Sequence, residues 1–311
     1  MVGRVVDIEA IDMKKIAAVF LCVGFTAVSA LANQKTFATP QEAVNALRKA
    51  SQSNSTSALL NILGPDSRDI VVSGDPSDDK DARKNFVQLL AQKQQLLSDP
   101  ASPDKQILSI GEDDWPFPIP LVKTDGRWHF DTAQGKNEIL ARRIGSNELN
   151  AIEICRGYVE AQLEYAQTHR HKEVPVYAQK IISSSGTEDG LYWDAGPGRS
   201  ECMIPKGFAR AVLGMSESDG EPYHGYYFRI LTAQGPSAQG GAMNYIIDGK
   251  MIGGFALIAW PAEYGVSGID TFIVDHTGVV YEKHLGPDTP QVAKTISVFD
   301  PDSSWQSLKP E

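Results

Sequence analysis

Asn147-Glu-Leu-Asn-Ala-Ile-Glu-Ile-Cys-Arg-Gly-Tyr-Val-Glu-Ala-Gln-Leu-Glu-Tyr-Ala-Gln167 lies near the middle of the chain and divides two differently patterned halves. Leu149, Ile152, Cys155, Val159, Leu163 and Ala166 recur at intervals of three and four, the spacing of one helix face. Glu148, Glu153, Glu160, Glu164 and Gln167 fall mostly on other faces. Ser146 or Asn147 is expected to cap the helix, with Glu148 and Glu153 towards its positive end.

Before this helix, Thr39-Pro40-Gln41-Glu42 reads as a helix start, with Ala43, Val44, Leu47 and Ala50 as its apolar face. A second short helix ends in Ala58 to Leu63 and stops at Gly64-Pro65. Arg68 to Ser73 is a strand candidate. The acidic stretch Asp75 to Asp81 opens a helix carrying Phe86, Leu89, Leu90, Lys93 and Leu97. Ile107 to Ile110 reads as a strand, and Pro118 to Asp131 as a hairpin turning at Asp125-Gly126. Thr132 to Ile144 predicts a helix that feeds the central one.

After the helix comes a glycine-rich passage marked by Gly186, Gly190, Gly196 and Gly198, followed by one or two helical turns over Phe208 to Leu213. The period then changes to two. Tyr226 to Thr232, Phe255 to Trp260, Thr271 to Asp275 and Val279 to Lys283 read as strands, with turns at Asp248-Gly249 and His276-Thr277-Gly278. A short helix from Pro290 to Ser297 precedes a polar tail. The expected class is α+β in two modules, residues 33–145 and 146–300, with 301–311 as the tail.

The first module resembles the cone-shaped NTF2-like folds in element order, and such cones often enclose a pocket. The second resembles pilin-like globular heads, in which a helix precedes an antiparallel meander. Over the whole exported chain four segments stand out. They are Phe37-Ala-Thr-Pro-Gln-Glu-Ala43, the hairpin Pro118 to Asp131, Glu148-Leu-Asn-Ala-Ile152, and Gly254-Phe-Ala-Leu-Ile-Ala-Trp-Pro-Ala-Glu-Tyr-Gly265. On these the chain resembles the exported bacterial family called domain of unknown function 2950. That resemblance implies no particular activity.

The chain has 311 residues, a formal net charge of -10 and 42% hydrophobic residues. The acidity argues against nucleic-acid or anionic-membrane partners, which need basic patches. Met13-Lys14-Lys15, the apolar run Ile16 to Val28 and Ala30-Leu31-Ala32 read as a signal peptide over residues 1–32, with translation starting at Met13. An uncleaved anchor is the rival reading. Cleavage leaves no integral membrane span and implies a periplasmic or secreted protein, with an envelope protein as partner. It also leaves two cysteines, Cys155 and Cys202, a candidate disulfide expected to stabilise the fold by about 4 kcal/mol; two buried thiols are the alternative.

Gly-x-Ser-x-Gly, His-Glu-x-x-His, Cys-x-x-Cys and phosphate-loop motifs are absent from the sequence, so neither a catalytic residue nor a cofactor is assigned. Glu112, Asp113, Asp114 and Trp115 form the most site-like stretch, suited to a cation or basic ligand; a solvated loop is the plainer reading. His169 and His171 lack a third ligand, and Asp75, Asp78, Asp79 and Asp81 lack the calcium-loop glycine, so no metal is expected. Trp260, Glu263 and Tyr264 are a candidate partner surface, weighed against core packing of Trp260. The leading expectation is a binding or accessory protein of the envelope. The alternative is a periplasmic hydrolase or small-ligand-binding protein using a pocket in the first module.

Overall fold

Thr39 opens the first helix of the computed structural model, which describes residues 34–99, 101–171, 173–193, 204 and 222–308. The expected signal peptide, Cys202, the Gly196–Gly198 turn and the turns at Phe208 to Leu213 lie outside these residues. The class is α+β. Contacts gather in two compact units, one ending at Thr132 and one beginning at Ala133.

In the first unit, α1 (Pro40–Gln52) starts where the sequence places it. The Thr39 hydroxyl accepts from the Glu42 N–H (3.2 Å), and the Glu42 carboxylate accepts from the Ala38 N–H (3.2 Å). Ala43, Val44, Leu47 and Ala50 are buried. α2 (Thr56–Leu63) is capped by Ser55 and ends at Gly64, whose φ of +92° favours glycine. Arg68–Val71 is a helical turn, α3, not the expected strand; it continues directly from the Pro65–Ser67 3-10 turn. α4 (Pro76–Gln92) begins on Asp75, which accepts from the Ser77 N–H at 2.7 Å.

α4 ends before Leu97. That residue belongs to β1 (Gln94–Asp99) and is 47% exposed. Lys93 is already extended, with φ -156° and ψ 143°, so the helical spacing extrapolated past it has no backbone to carry it. β2 (Ser102–Ile110), β3 (Trp115–Pro116), β4 (Leu121–Thr124) and β5 (Arg127–Phe130) complete an antiparallel sheet of order β1-β2-β4-β5, with β3 also on β2. Asp125 (φ 52°) and Gly126 (φ 78°) make the hairpin turn that their types favour.

The second unit is built on α5 (Thr132–Thr168), one continuous helix of 37 residues. The expected start at Ser146 or Asn147 is therefore a correction. The Gly145-Ser146 pair weakens the ladder by about 1 kcal/mol but contains no proline to break it. The buried face also differs. Ala151, Cys155, Tyr158, Gln162 and Tyr165 are buried, whereas Leu149 and Leu163 are 51% and 46% exposed.

An antiparallel sheet of five strands faces this helix: β6 (Tyr226–Leu231), β7 (Ala256–Pro261), β8 (Asp270–Asp275), β9 (Val280–His284) and β10 (Gln306–Leu308). Residues 306–308 were expected in the polar tail, but they pair with β9, Leu308 opposite Val280. A Cβ placed on Gly278 in the β8–β9 turn would lie 4.0 Å from Val159 Cγ1 of α5. The Tyr158 ring meets Phe255 edge-on at 5.6 Å. On the other face sits α6 (Thr289–Thr295). Arg229 of β6 donates to the Ala293 (2.9 Å), Lys294 (3.1 Å) and Ile296 (2.5 Å) carbonyls, which closes the C-terminal end of α6 with a cation. β7 is buried at every position because both its faces are covered, as its unbroken apolar run predicts.

Candidate functional site

The helices of the first unit line an open cavity of about 410 Å³, within the range of small-molecule sites. α1 contributes Leu47 and Ser51, α2 contributes Leu59 and Leu63, and α3 contributes Asp69, Ile70 and Val71. α4 adds Asp78, Asp79, Ala82, Arg83 and Phe86, and Phe117 comes from the segment after β3. The body is apolar and aromatic, and the charges gather on the α3–α4 side. Phe117 stacks obliquely on Phe86 (5.3 Å) and edge-on to Phe130 (6.3 Å), which fixes the aromatic wall.

Two features give the cavity polar character. Ser51 is 6% exposed and places a hydroxyl on the α1 wall of the cavity. Arg83 is committed to the protein: it donates to Asn54 Oδ1 (2.6 Å) and the Val71 carbonyl (3.0 Å) and lies 3.8 Å from Asp79. The Ser73 N–H bonds Asp79 at 2.9 Å and holds its carboxyl below the usual range.

The stretch singled out from the sequence lies elsewhere in this unit. Glu112, Asp113 and Asp114 are exposed on a turn, and Trp115 is 43% exposed. Asp114 is tied to Lys93 Nζ (2.7 Å) and to the Ser109 hydroxyl (3.3 Å); the lysine bond holds its carboxyl low. Among the described residues no group of three or more histidine, cysteine or acidic side chains is arranged to hold a metal ion.

The profile of one family, proteins of unknown function designated DUF2950, matches residues 34–308. The chain belongs to this family. No curated protein and no solved structure matches it, and the likenesses to NTF2-type cones and pilin heads rest on the sequence elements alone.

One of the segments that mark this DUF2950 chain reaches the start of β8. Glu148 on α5 accepts from the Ile269 N–H (2.8 Å) and the Asp270 N–H (3.2 Å) at the start of β8. Asp270 faces His284 across the β8–β9 pair, and Phe272 faces Glu282. The His284 ring meets Tyr264 Oη through Nε2 at 2.6 Å and stacks on its ring at 5.5 Å. Burial pushes the Glu148 carboxyl up against the lowering effect of its two amide bonds; burial, then repulsion from Asp270 and Glu148, raises Glu282; and burial raises Asp270.

A raised carboxyl has a definite sign in stability. Between the ordinary carboxylate range and the raised values the folded state binds more protons than the unfolded one. These three carboxyls therefore contribute stability that is gained as pH falls from neutral towards about 4.3 and lost as pH rises. Glu148→Gln keeps an acceptor for the Ile269 and Asp270 amides and removes the charge. The variant is expected to melt about 2 °C higher at pH 7.5 and no higher at pH 4.5. Parallel melting curves for both proteins across that range would overturn this account.

The partner-surface residues separate. Trp260 is 3% exposed, its ring lies 5.5 Å from the Arg229 guanidinium, and its indole N–H has no hydrogen-bond partner among the described residues. Its place on the doubly covered β7 makes it core, which corrects its reading as a surface anchor. Glu263 is exposed, and Tyr264 is partly so. They lie on a loop closed by the Ser267 N–H to Glu263 carbonyl (2.9 Å) and Gly265 N–H to Gly268 carbonyl (2.9 Å) bonds.

Cys155 is a buried free thiol, pushed up to about 12 by burial. The expected bridge to Cys202 is not supported. Cys155 sits under the sheet on the core face of α5, and Cys202 lies outside the described residues. His169 stacks flat on Tyr165 at 3.7 Å and bonds the Tyr165 carbonyl through Nδ1 (2.9 Å), which accounts for it as a helix-end residue.

Gln162 was invisible in the apolar periodicity. Its amide is buried, donating to Tyr158 Oη (2.9 Å) and the Ala178 carbonyl (2.8 Å) and accepting from the Ala178 N–H (2.8 Å). The cavity-lining Ser51 was equally hidden, since a serine in a helix carries no signal of what lies opposite.

Proposed function

We propose that this chain is an exported bacterial envelope protein that works by binding a small amphipathic molecule in the cavity of its first unit. The observation that carries this reading is the apolar, aromatic-walled cavity between the helices of the first unit. The basic start at Met13-Lys14-Lys15 and the apolar run to Val28 support export. A hydrolase built on Glu112 and Asp113 is disfavoured because both are exposed, while Asp114 is neutralised by Lys93.

The reading is tested with the neutral fluorescent probe N-phenyl-1-naphthylamine. It is expected to bind the purified chain saturably, one per molecule. Ala82 lines the cavity from an exposed helix position, so Ala82→Trp fills it at little cost to folding. Binding is expected to fall at least about tenfold in that variant. Equal binding by both proteins removes the cavity from consideration.

A second reading rests on the closed Glu263–Gly268 loop, which presents Tyr264 stacked on His284. That loop would serve as the contact for an envelope protein partner. Crosslinking in cells, with Tyr264→Ala as the control, distinguishes it from the cavity reading.

A further inference from the structure

We infer that the Glu263–Gly268 loop is a pH-sensitive latch, drawn tighter onto α5 and β9 when the carboxyl groups beside it take up a proton. The inference does not depend on the cavity reading. The loop is held at two points. Tyr264 stacks on the His284 ring at 5.5 Å and meets its Nε2 through Oη at 2.6 Å. At the other end Asn147 of α5 donates to the Ser267 carbonyl (2.9 Å), and Glu148 accepts from the Ile269 (2.8 Å) and Asp270 (3.2 Å) amides.

Strand alternation brings both anchors into one group of charges. Asp270 lies opposite His284, and Phe272 opposite Glu282, so these four side chains share one side of the β8–β9 pair. α5 adds Glu148, which repels Glu282 together with Asp270. Glu148, Asp270 and Glu282 are all part-buried. The Glu282 carboxylate has no hydrogen-bond or ion-pair partner among the described residues. β6 contributes only the Tyr226 hydroxyl, which donates to the Asp270 carbonyl (2.9 Å). Neighbouring cations are engaged elsewhere: Lys283 with Ser304 (2.7 Å) and the Trp305 ring, Arg229 with the carbonyls of α6. Glu263, on the loop itself, is exposed. Among the described residues His284 is the basic side chain that acts on Glu148 and Asp270.

Like charges withdrawn from water repel, and here the repulsion acts between α5, which carries Glu148, and the strands that carry Asp270 and Glu282. A proton on any one of the three leaves a single repelling pair, so α5 settles onto β8 and the loop end that Asn147 and Glu148 hold settles with it. Burial raises all three carboxyls. The closed loop therefore binds the proton more readily than the open one, and its hold strengthens as pH falls from neutral towards about 4.3 and weakens as pH rises.

Amide hydrogen exchange of the purified chain, with labelling times scaled to the intrinsic exchange rate, reads that hold. The peptide over residues 262–270 is expected to be about fivefold better protected at pH 4.5 than at pH 7.5. Glu282→Gln removes one charge and no bond of the fold. It is expected to raise protection at pH 7.5 about threefold and to shrink the pH response below about twofold. The peptide over α1, in the first unit, is the reference and is expected to show no such response. Equal loop protection at the two pH values overturns the latch, as does a pH response that Glu282→Gln leaves unchanged. A matching response in α1 reflects the chain as a whole and overturns it too.

Discussion

Gly268→Ala is expected to lower the unfolding free energy by about 3 kcal/mol. A Cβ at this position would run into the Tyr226 hydroxyl and lie 2.6 Å from Cζ and 2.7 Å from Cε2 of the same ring. The ring cannot yield. Tyr226 is 0% exposed, packs at 5.8 Å on Phe272, and donates its hydroxyl to the Asp270 carbonyl at 2.9 Å. Relief requires either an off-rotamer ring or a shift of β8, and both disturb the amides that Glu148 holds.

Urea unfolding measures the loss, and Tyr226→Phe in the same background identifies its cause. Removing the hydroxyl removes the nearest clashing atom, so the double variant is expected to recover about 1 kcal/mol relative to the sum of the single changes. An unchanged midpoint for Gly268→Ala would mean that Tyr226 moves freely. The distortion is also expected to loosen the loop that carries Tyr264, because Gly268 accepts the closing bond from Gly265.

Gln162→Leu has the second large expected effect, a loss of about 4 kcal/mol. The substitution is hydrophobic and similar in size, and the position lies on the buried face of α5. A reading from apolar periodicity alone would score it as favourable. It strands the Ala178 N–H, the Ala178 carbonyl and the Tyr158 hydroxyl in a site where Ala178 and Tyr158 are each 1% exposed. Tyr158 keeps a long bond to the Ala256 carbonyl (3.4 Å), and this offsets part of the loss.

Leu163→Gln, one residue along, is the control. Leu163 is 46% exposed, so polarity there is expected to change stability by less than about 0.5 kcal/mol. Equal effects at the two positions would show that the buried face of α5 has been misplaced. Together the variants separate burial from hydrophobicity on one helix.

What could be read directly from residues was local. Thr39-Pro40 starts α1 because a hydroxyl cap and a fixed φ act within one turn. Asp125-Gly126, Asp248-Gly249 and Thr277-Gly278 turn the chain because their backbone freedom and short side chains act within four residues. The uninterrupted apolar run of β7 required cover on both faces, and received it. These features, with the four marker segments, determined the α+β class and the family.

Everything that depended on what lies opposite was decided by tertiary structure. Helical spacing is satisfied equally by a stripe through Leu149 and Leu163 and by one through Cys155 and Gln162. The choice fell to the irregular segment of Ala178, whose backbone needed an amide. Trp260 became core because α6 and Arg229 cover its face, and residues 306–308 became a strand because β9 presented an open edge. The first-unit cavity gathers side chains from four helical segments and from the segment after β3, 70 residues apart at the extremes from Leu47 to Phe117. Such a convergence is a property of long-range packing, in which burial and hydrogen-bond satisfaction outweigh the local preferences that a sequence displays.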